Sequence, residues 1–402
     1  MKNIILLDSE IRNHLLPLTY TRPIAELRCG ILTISQKWEL ALKGMASHIT
    51  ENYLSEKFPL VPSDDNLVID GSVLPTTAFC EKLTQLDFGQ ALLRDGKLLA
   101  IRINRKQLID FIQNQSFNHN GTEIDIPIIS ISRIWHLFQQ NREELLSDFE
   151  RLTKDKKSSP LADTNQLIGD PSRIFIEEGA SVECSILNVT DAPIYVGKNA
   201  EIMEGCMIKG GLALCDNAQL KMGTKIYGVT TIGPGCRGGG EISNSIMQAN
   251  SNKGHDGFLG NSVVGEWCNL GADTNTSNLK NTYEAVKIWS YEEKRFVQSG
   301  QQFLGLIMGD HSKAGINTMF NTGTVVGVAS NIFGSGFPRN FLPSFAWGGH
   351  EGLTTHRFEQ AVRTAEIVCA RRNINFGKLD SKILRHIFDA TIEERVWDYK
   401  RP

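Results

Sequence analysis

The chain has 402 residues, 41% of them hydrophobic and 22% charged, with a formal net charge of −3. That length is too great for one ordinary core and points to two or three domains. The charge balance excludes the strongly basic surface of a nucleic-acid-binding domain, and eight cysteines without a CxxC pair leave a zinc or redox motif unsupported.

The opening MKNIILLDSE carries an apolar run too short for a signal peptide, and Asp8 interrupts it. No stretch approaches 18 consecutive apolar residues. A soluble protein with free thiols in a reducing, cytoplasmic compartment is expected, with no nucleic-acid or membrane partner.

Residues 3–7 read as a buried first strand, and residues 34–42 have the apolar spacing of a first crossover helix. Residues 66–70, followed by Gly71, read as a strand and turn. Gly96 separates two more apolar stretches, and residues 107–115 and 136–152 read as helices. Strands mixed with helices predict a parallel or mixed sheet. The charged run 154–159 before Pro160 is expected to close this α/β domain, giving domain boundaries of 1–155 and 156 onward.

The second half has another period. Stepping by six from Val196 gives Ile202, Ile208, Leu214, Leu220, Ile226 and Ile232, seven aliphatic slots in a row. Four places after each stand Ala200, Cys206, Leu212, Ala218, Thr224, Thr230 and Cys236, six of the seven small. This is the hexapeptide signature of a parallel β-helix. Each hexapeptide supplies one short strand and one corner, three make a triangular coil, and the aliphatic residues stack inside it.

The register slips at Gly238, Gly239 and Gly240. It recovers at Val264 and Leu270, and again around Ile316, Thr322 and Val328. Residues 276–305 are off-period and are expected to form an insertion loop. The coil should run over 156–345 and a helical extension over 346–402. There Phe358, Val362, Ala365 and Cys369 share one face, and residues 380–397 read as a second amphipathic helix.

Chemistry concentrates in residues 251–278, SNKGHDGFLGNSVVGEWCNLGADTNTSN. A neutral imidazole at His255 can take a proton from an attacking amine, and amide side chains near it can orient it or grip sugar hydroxyls. The plainer readings stay open: His255 as a turn-capping corner residue, and Asn269 and Asn278 as ladder or left-handed turn residues. His311 with Lys313, and likewise Arg237 and Lys253, are cations that could hold phosphates or be solvated corner residues.

His255, then Leu259-Gly260, then Asn269-Leu270-Gly271-Ala272, resemble the acetyltransferase domain of bifunctional N-acetylglucosamine-1-phosphate uridyltransferases. Residues 251–260, 265–275, 309–325 and 336–341 are similar to a bacterial branch with a shortened, altered nucleotidyltransferase half. The resemblance implies a left-handed parallel β-helix that assembles as a homotrimer. It implies His255 as the general base that deprotonates glucosamine-1-phosphate as it attacks acetyl-CoA, with Asn269 and Asn278 binding substrate and cofactor. The family's tyrosine three residues after the histidine is Phe258 here.

The first half is similar to sugar nucleotidyltransferases (a Rossmann-like fold) in the frame Leu7-Asp8, Arg12, Pro17-Leu18-Thr19 and Arg22-Pro23. The glycine-rich loop is missing, and the signature lysine slot is Ile24. Arg12, Arg22, Arg28 and Lys37 are the cations that would meet UTP phosphates. The bland alternative for the arginines is a set of ion pairs. Asp70-Gly71-Ser72 stands at the magnesium segment, with Asp70 as the remaining acidic candidate for Mg2+. The implied enzyme is a transferase of sugar-nucleotide biosynthesis with acetyl and uridylyl transfer. Two other readings stay open: that one of these activities is retained alone, and that the chain is a non-catalytic nucleotide-sugar-binding β-helix.

Overall fold

A computed structural model describes residues 2–114 and 120–398. Two compact units emerge. The first holds the chain up to Leu15 with Thr21–Leu27 and Leu32–His136; the second holds Leu16–Tyr20, Arg28–Ile31 and Leu137 onward.

The first unit is a six-stranded sheet of β1 (Lys2–Leu7), β2 (Gly44–Ile49), β3 (Asn66–Asp70), β4 (Gln90–Arg94), β5 (Lys97–Ile103) and β6 (Asn120–Glu123), in the order β2-β1-β3-β5-β4-β6. β2, β1 and β3 run parallel, while β5 runs antiparallel to β3 and β4. Every residue of β3 is buried, as a central strand covered on both faces requires. Helices α1 (Ile34–Leu42), α2 (Asn52–Ser55), α3 (Thr77–Thr84) and α4 (Arg105–Asn114) connect the strands. The expected end of the fourth helix at residue 115 lies outside the described residues. α1 starts where it does because Thr33 and Gln36 form a reciprocal capping box. Thr33→Ala is expected to cost about 1 kcal/mol, read as a lower urea midpoint with an unchanged slope.

The second unit is a parallel β-helix with sheets of six, nine and ten strands. Val196 pairs with Leu214 and Leu214 with Ile232; Ile202 pairs with Leu220, and Ile208 with Ile226. All seven aliphatic slots are at most 2% exposed and belong to one continuous core. Each contributes about 1.5–3 kcal/mol of burial.

Gly238 takes the next inward slot over Leu220, because a Cβ there would stand 3.0 Å from the Leu220 Cδ2. The later register differs from expectation. The inward series is Met308, Ala314, Phe320, Val326 and Ile332, with small residues Ser312, Thr318, Thr324 and Ser330 four places after the first four. Ile316 is instead an exposed corner residue, 71% accessible. Its aliphatic character imitated a core slot two residues out of frame.

After the strand Asn275–Thr276 the chain leaves the coil. It forms the antiparallel hairpin Lys287–Ser290 with Arg295–Gln298 and rejoins at Ile307–Met308. The last coil strand, Ala346–Gly349, is closed by an antiparallel partner, Gly352–Thr355. α5 (His136–Thr153) reaches the coil through Asn141, whose Nδ2 donates to the Val229 carbonyl. α6 (Phe358–Ala370) buries Ala361, Ala365 and Cys369. α7 (Lys378–Ala390) ends seven residues before the expected Trp397, because a short turn, Ile392–Glu394, follows and the Arg395 guanidinium donates back to Thr391 and Phe388.

Candidate functional site

In the second unit, His255 stands exposed on a corner loop between the strands Asn252–Lys253 and Phe258–Gly260. The three consecutive glycines that broke the period make room for that loop. A Cβ on Gly239 would meet the Gly254 carbonyl carbon at 2.6 Å, and one on Gly240 would meet the Asp256 Cα at 2.8 Å.

Lys253 corrects its expected role. It is 1% exposed and occupies an inward coil slot, paired with Gly238. Its Nζ donates to the carbonyls of Gly239 (2.9 Å), His255 (2.7 Å) and Asp256 (3.4 Å). The ammonium therefore clamps the histidine loop from inside instead of meeting a phosphate in solvent. Burial pushes its pKa down to about 8, against the opposing charges of Asp256 and Asp273.

Arg237, Asn252, Asn269 and Lys313 fall in one register column on the ten-stranded sheet. Asn252 donates to the Asn269 Oδ1 at 2.9 Å. The asparagine ladder considered for Asn269 is thus present, across the paired strands Asn252–Lys253 and Asn269–Leu270, the first of which leads into the His255 loop. Arg237 is exposed. Beside it Arg372 donates to the Gly235 carbonyl at 2.6 Å. Burial, then the charge of Arg237, holds the Arg372 pKa below its ordinary value.

Lys313 and His311 depart from expectation. The Lys313 Nζ donates to the Trp267 (2.5 Å) and His311 (3.2 Å) carbonyls, and burial lowers its pKa. The half-buried His311 ring stacks on Trp267, with centroids 6.4 Å apart, and meets Phe376 edge-on at 5.9 Å. Both are packing groups of the coil corner. Asn278 lies across the six-stranded face from His255, donating to the Asn261 Oδ1 at 2.8 Å. Asn261 lines a cavity of about 890 Å³ with Tyr227, Asn244, Lys209 and Arg142.

In the first unit, polar side chains gather at the carboxyl ends of β1, β2 and β3, where open α/β sheets place ligands. The Asp8 carboxylate accepts from the Ile24 amide (2.8 Å) and the Thr50 hydroxyl (2.6 Å), and pairs with Arg12 at 3.3 Å. Arg12 also donates to the Tyr53 hydroxyl at 2.7 Å. His48 pairs with Glu26 at 3.1 Å. Burial raises the Asp8 carboxyl. At Glu26 burial acts upward too and is the largest single effect, but the bond and charge of His48, with a Ser35 hydrogen bond and the charge of Arg22, together outweigh it and leave the carboxyl below its ordinary range.

Arg22 is 6% exposed and Lys37 fully buried, so neither presents its charge to solvent. Arg28 belongs to the other unit. Its backbone exchanges two hydrogen bonds with the Gln248 amide, and its guanidinium donates to the Ile31 carbonyl. It pins a chain segment of the second unit. Asp70 accepts the Ser72 amide at 2.8 Å, and burial raises its pKa. Among the described residues no three His, Cys, Asp or Glu side chains cluster as a metal set.

Asp8, His48, Tyr53, Asn252 and Arg372 were not singled out from sequence. Asp8 alone carried a signal, as a charge ending an apolar strand; the others are brought in by packing.

Residues 4–157 match the family described as sugar nucleotidyl transferase. The chain is similar to the bifunctional protein GlmU of Methanocaldococcus jannaschii, 40% identical over 22% of this chain and 21% of that relative. It is also similar to a bifunctional sugar-1-phosphate nucleotidylyltransferase/acetyltransferase of Sulfurisphaera tokodaii, 32% identical over 23% of each. Among solved structures, the polySia-specific acetyltransferase NeuO matches at 12% identity over 52% of this chain and 94% of that chain, with a TM-score of 0.28. The chain thus spans about a fifth of the length of the curated relatives named here. Its sugar nucleotidyl transferase match covers residues 4–157, and its similarity to bifunctional nucleotidylyltransferase/acetyltransferases covers under a quarter of the chain.

Proposed function

We propose that the chain is a transferase of sugar-nucleotide biosynthesis that moves the acetyl group of acetyl-CoA to the amine of glucosamine-1-phosphate, with His255 as general base. The observation that carries this reading is the exposed imidazole on a loop clamped by a buried ammonium, beside a ladder of amides, on a parallel β-helix. The imidazole takes the amine proton as nitrogen attacks the thioester carbonyl, and the coenzyme leaves as the thiol. Asn269, with Asn252, is assigned to sugar hydroxyls, and Asn278 to the far side of the same face. Arg237 with Arg372 is assigned to phosphate. The coil is read as left-handed.

A homotrimer is part of the proposal. Ile186 and Met207 stand exposed as paired outward residues of the six-stranded face, Met319 stands exposed on the separate strand pair with Asn275, and Met222 and Ile316 are exposed in the same corner position as His255. Exposed apolar side chains suit a subunit contact. Free cysteines, and described helices none of which is long and apolar enough to cross a membrane, fit the proposed cytoplasmic location.

For the first unit we propose uridylyl transfer from UTP to N-acetylglucosamine-1-phosphate, with Arg12 assigned to the phosphates. A magnesium ion would arrive on the triphosphate, since Mg2+ is held by one or two carboxylates plus substrate phosphates, and Asp70 is the acidic group assigned to it. A second reading keeps acetyl transfer alone. It is favoured by Arg12, whose charge Asp8 and Tyr53 already engage. One assay separates them: the purified chain with glucosamine-1-phosphate, acetyl-CoA and UTP, each omitted in turn. Thiol release dependent on the amino sugar is expected, at a solution mass of three chains. Pyrophosphate release that requires acetyl-CoA supports both activities; thiol release without pyrophosphate supports the second reading. Absence of thiol release overturns the assignment of His255.

A further inference from the structure

A second cavity, of about 520 Å³, lies in the β-helical unit, and His255 is not among its lining residues. Its walls come from the inserted hairpin and its flank (Trp289, Tyr291, Lys294), the coil end (Arg339, Phe341) and the chain after α7 (Glu394). Trp289 and Phe341 stack with centroids 4.1 Å apart and planes at 11°. Tyr291 meets Phe341 edge-on at 5.5 Å and Tyr20 at 5.6 Å.

Three polar atoms in this aromatic wall are buried without a hydrogen-bond partner among the described residues: the Trp289 Nε1, the Tyr291 hydroxyl and the Glu394 Oε2. Tyr291 is only 8% exposed. Buried polar groups are nearly always bonded, so three orphans on one cavity indicate an occupant that brings its own donors and acceptors. Burial raises the Glu394 carboxyl to about 7, against the cations Arg395 and Lys294, so near neutrality it is available both to donate and to accept. Lys294 and Arg339 are exposed cations at the rim.

The occupant these groups describe has an apolar face for aromatic rings, a set of hydroxyls for an indole N–H, a phenol and a carboxyl, and an anionic substituent for two cations. A pyranose bearing a phosphate has all three, and the cavity volume suits it. We infer that this cavity is a binding site for a phosphorylated monosaccharide, separate from the His255 loop. The inference stands on the cavity and its orphan atoms, and it does not require the proposed acetyl transfer.

The test is calorimetry on the full chain with glucose-1-phosphate, methyl glucoside and inorganic phosphate as probes. Glucose-1-phosphate is expected to bind more tightly than either of the others. Tyr291→Phe should weaken it about 5- to 10-fold, the worth of one buried hydrogen bond. Lys294→Ala and Arg339→Ala should each weaken glucose-1-phosphate but not methyl glucoside. His255→Ala should leave this binding unchanged, so failure of the catalytic proposal and of this one are distinguishable. The rim variants change exposed side chains, which keeps the test decisive if Tyr291→Phe fails to fold. Glucose-1-phosphate binding that survives the rim variants, or no binding above that of inorganic phosphate, overturns the site and leaves water as the partner of the three atoms.

Discussion

Replacing His255 with alanine is expected to slow acetyl transfer by about 10²- to 10⁴-fold, the range of general-base assistance, while the melting temperature stays within a degree or two of the parent. The histidine side chain is exposed and the described contacts of its residue are made by its backbone, so its removal should not disturb the coil. The measurement is thiol release from acetyl-CoA with glucosamine-1-phosphate, run alongside pyrophosphate release from UTP with N-acetylglucosamine-1-phosphate supplied directly. The second activity, if present, should be untouched, because the first unit has its own sheet and polar cluster. Full acetyl transfer in the variant would remove His255 from the chemistry and leave it a corner residue.

Lys253→Met is the sharper test of how that histidine is held. Methionine is close in length and apolar enough for an inward slot, but it cannot donate to the Gly239, His255 and Asp256 carbonyls. Acetyl transfer should fall by up to about 10²-fold, since small displacements of a catalytic group cost that much. The stability difference between the two proteins should also depend on pH, with a definite sign. Below about pH 8 the lysine is protonated in both states, and the folded state bears the full penalty of burying the charge. Between about 8 and the ordinary 10.5 the unfolded chain binds more protons than the folded one, so the parent gains stability as pH rises. The gain amounts to about 3 kcal/mol at about 1.4 kcal/mol per pKa unit. Lys253→Met lacks it. Urea unfolding of both proteins at pH 7.5 and 10 reads the difference; a pH-independent gap would mean that the ammonium is not desolvated in the folded protein.

The two halves of the chain were legible to different depths. The six-residue period exposed the coil because stacking forces one residue type into a fixed slot, and Val196 through Ile232 all reached that slot. It failed wherever the slot held something else. Gly238 and Lys253 occupy inward positions that no aliphatic pattern marks. Ile316, an apolar corner, produced a false frame. In the first unit, α1 and β3 were found within their bounds because amphipathic spacing and a continuous apolar run are local signals. Cations were read least well. Arg28, Lys253, Lys313 and His311 all carry charge or a polar ring suited to phosphate, and packing turned each of them inward or onto the coil. Composition cannot distinguish a solvated ammonium from one bound to carbonyls.

Order along the chain was enough to establish a mixed α/β region followed by a stacked coil and a helical end, because period and turn chemistry are properties of neighbouring residues. It was enough, too, to mark the His255 loop, whose glycines and small residues announce close backbone approach. Which side chains meet was left to the folded molecule. Asn252 reaches Asn269 through the coil's register, and Arg372 reaches Arg237 from the far end of the sequence. The hairpin at 287–298 and the residues after α7 close on three orphan polar atoms. Those meetings depend on register, corner geometry and burial, and long-range packing sets all three.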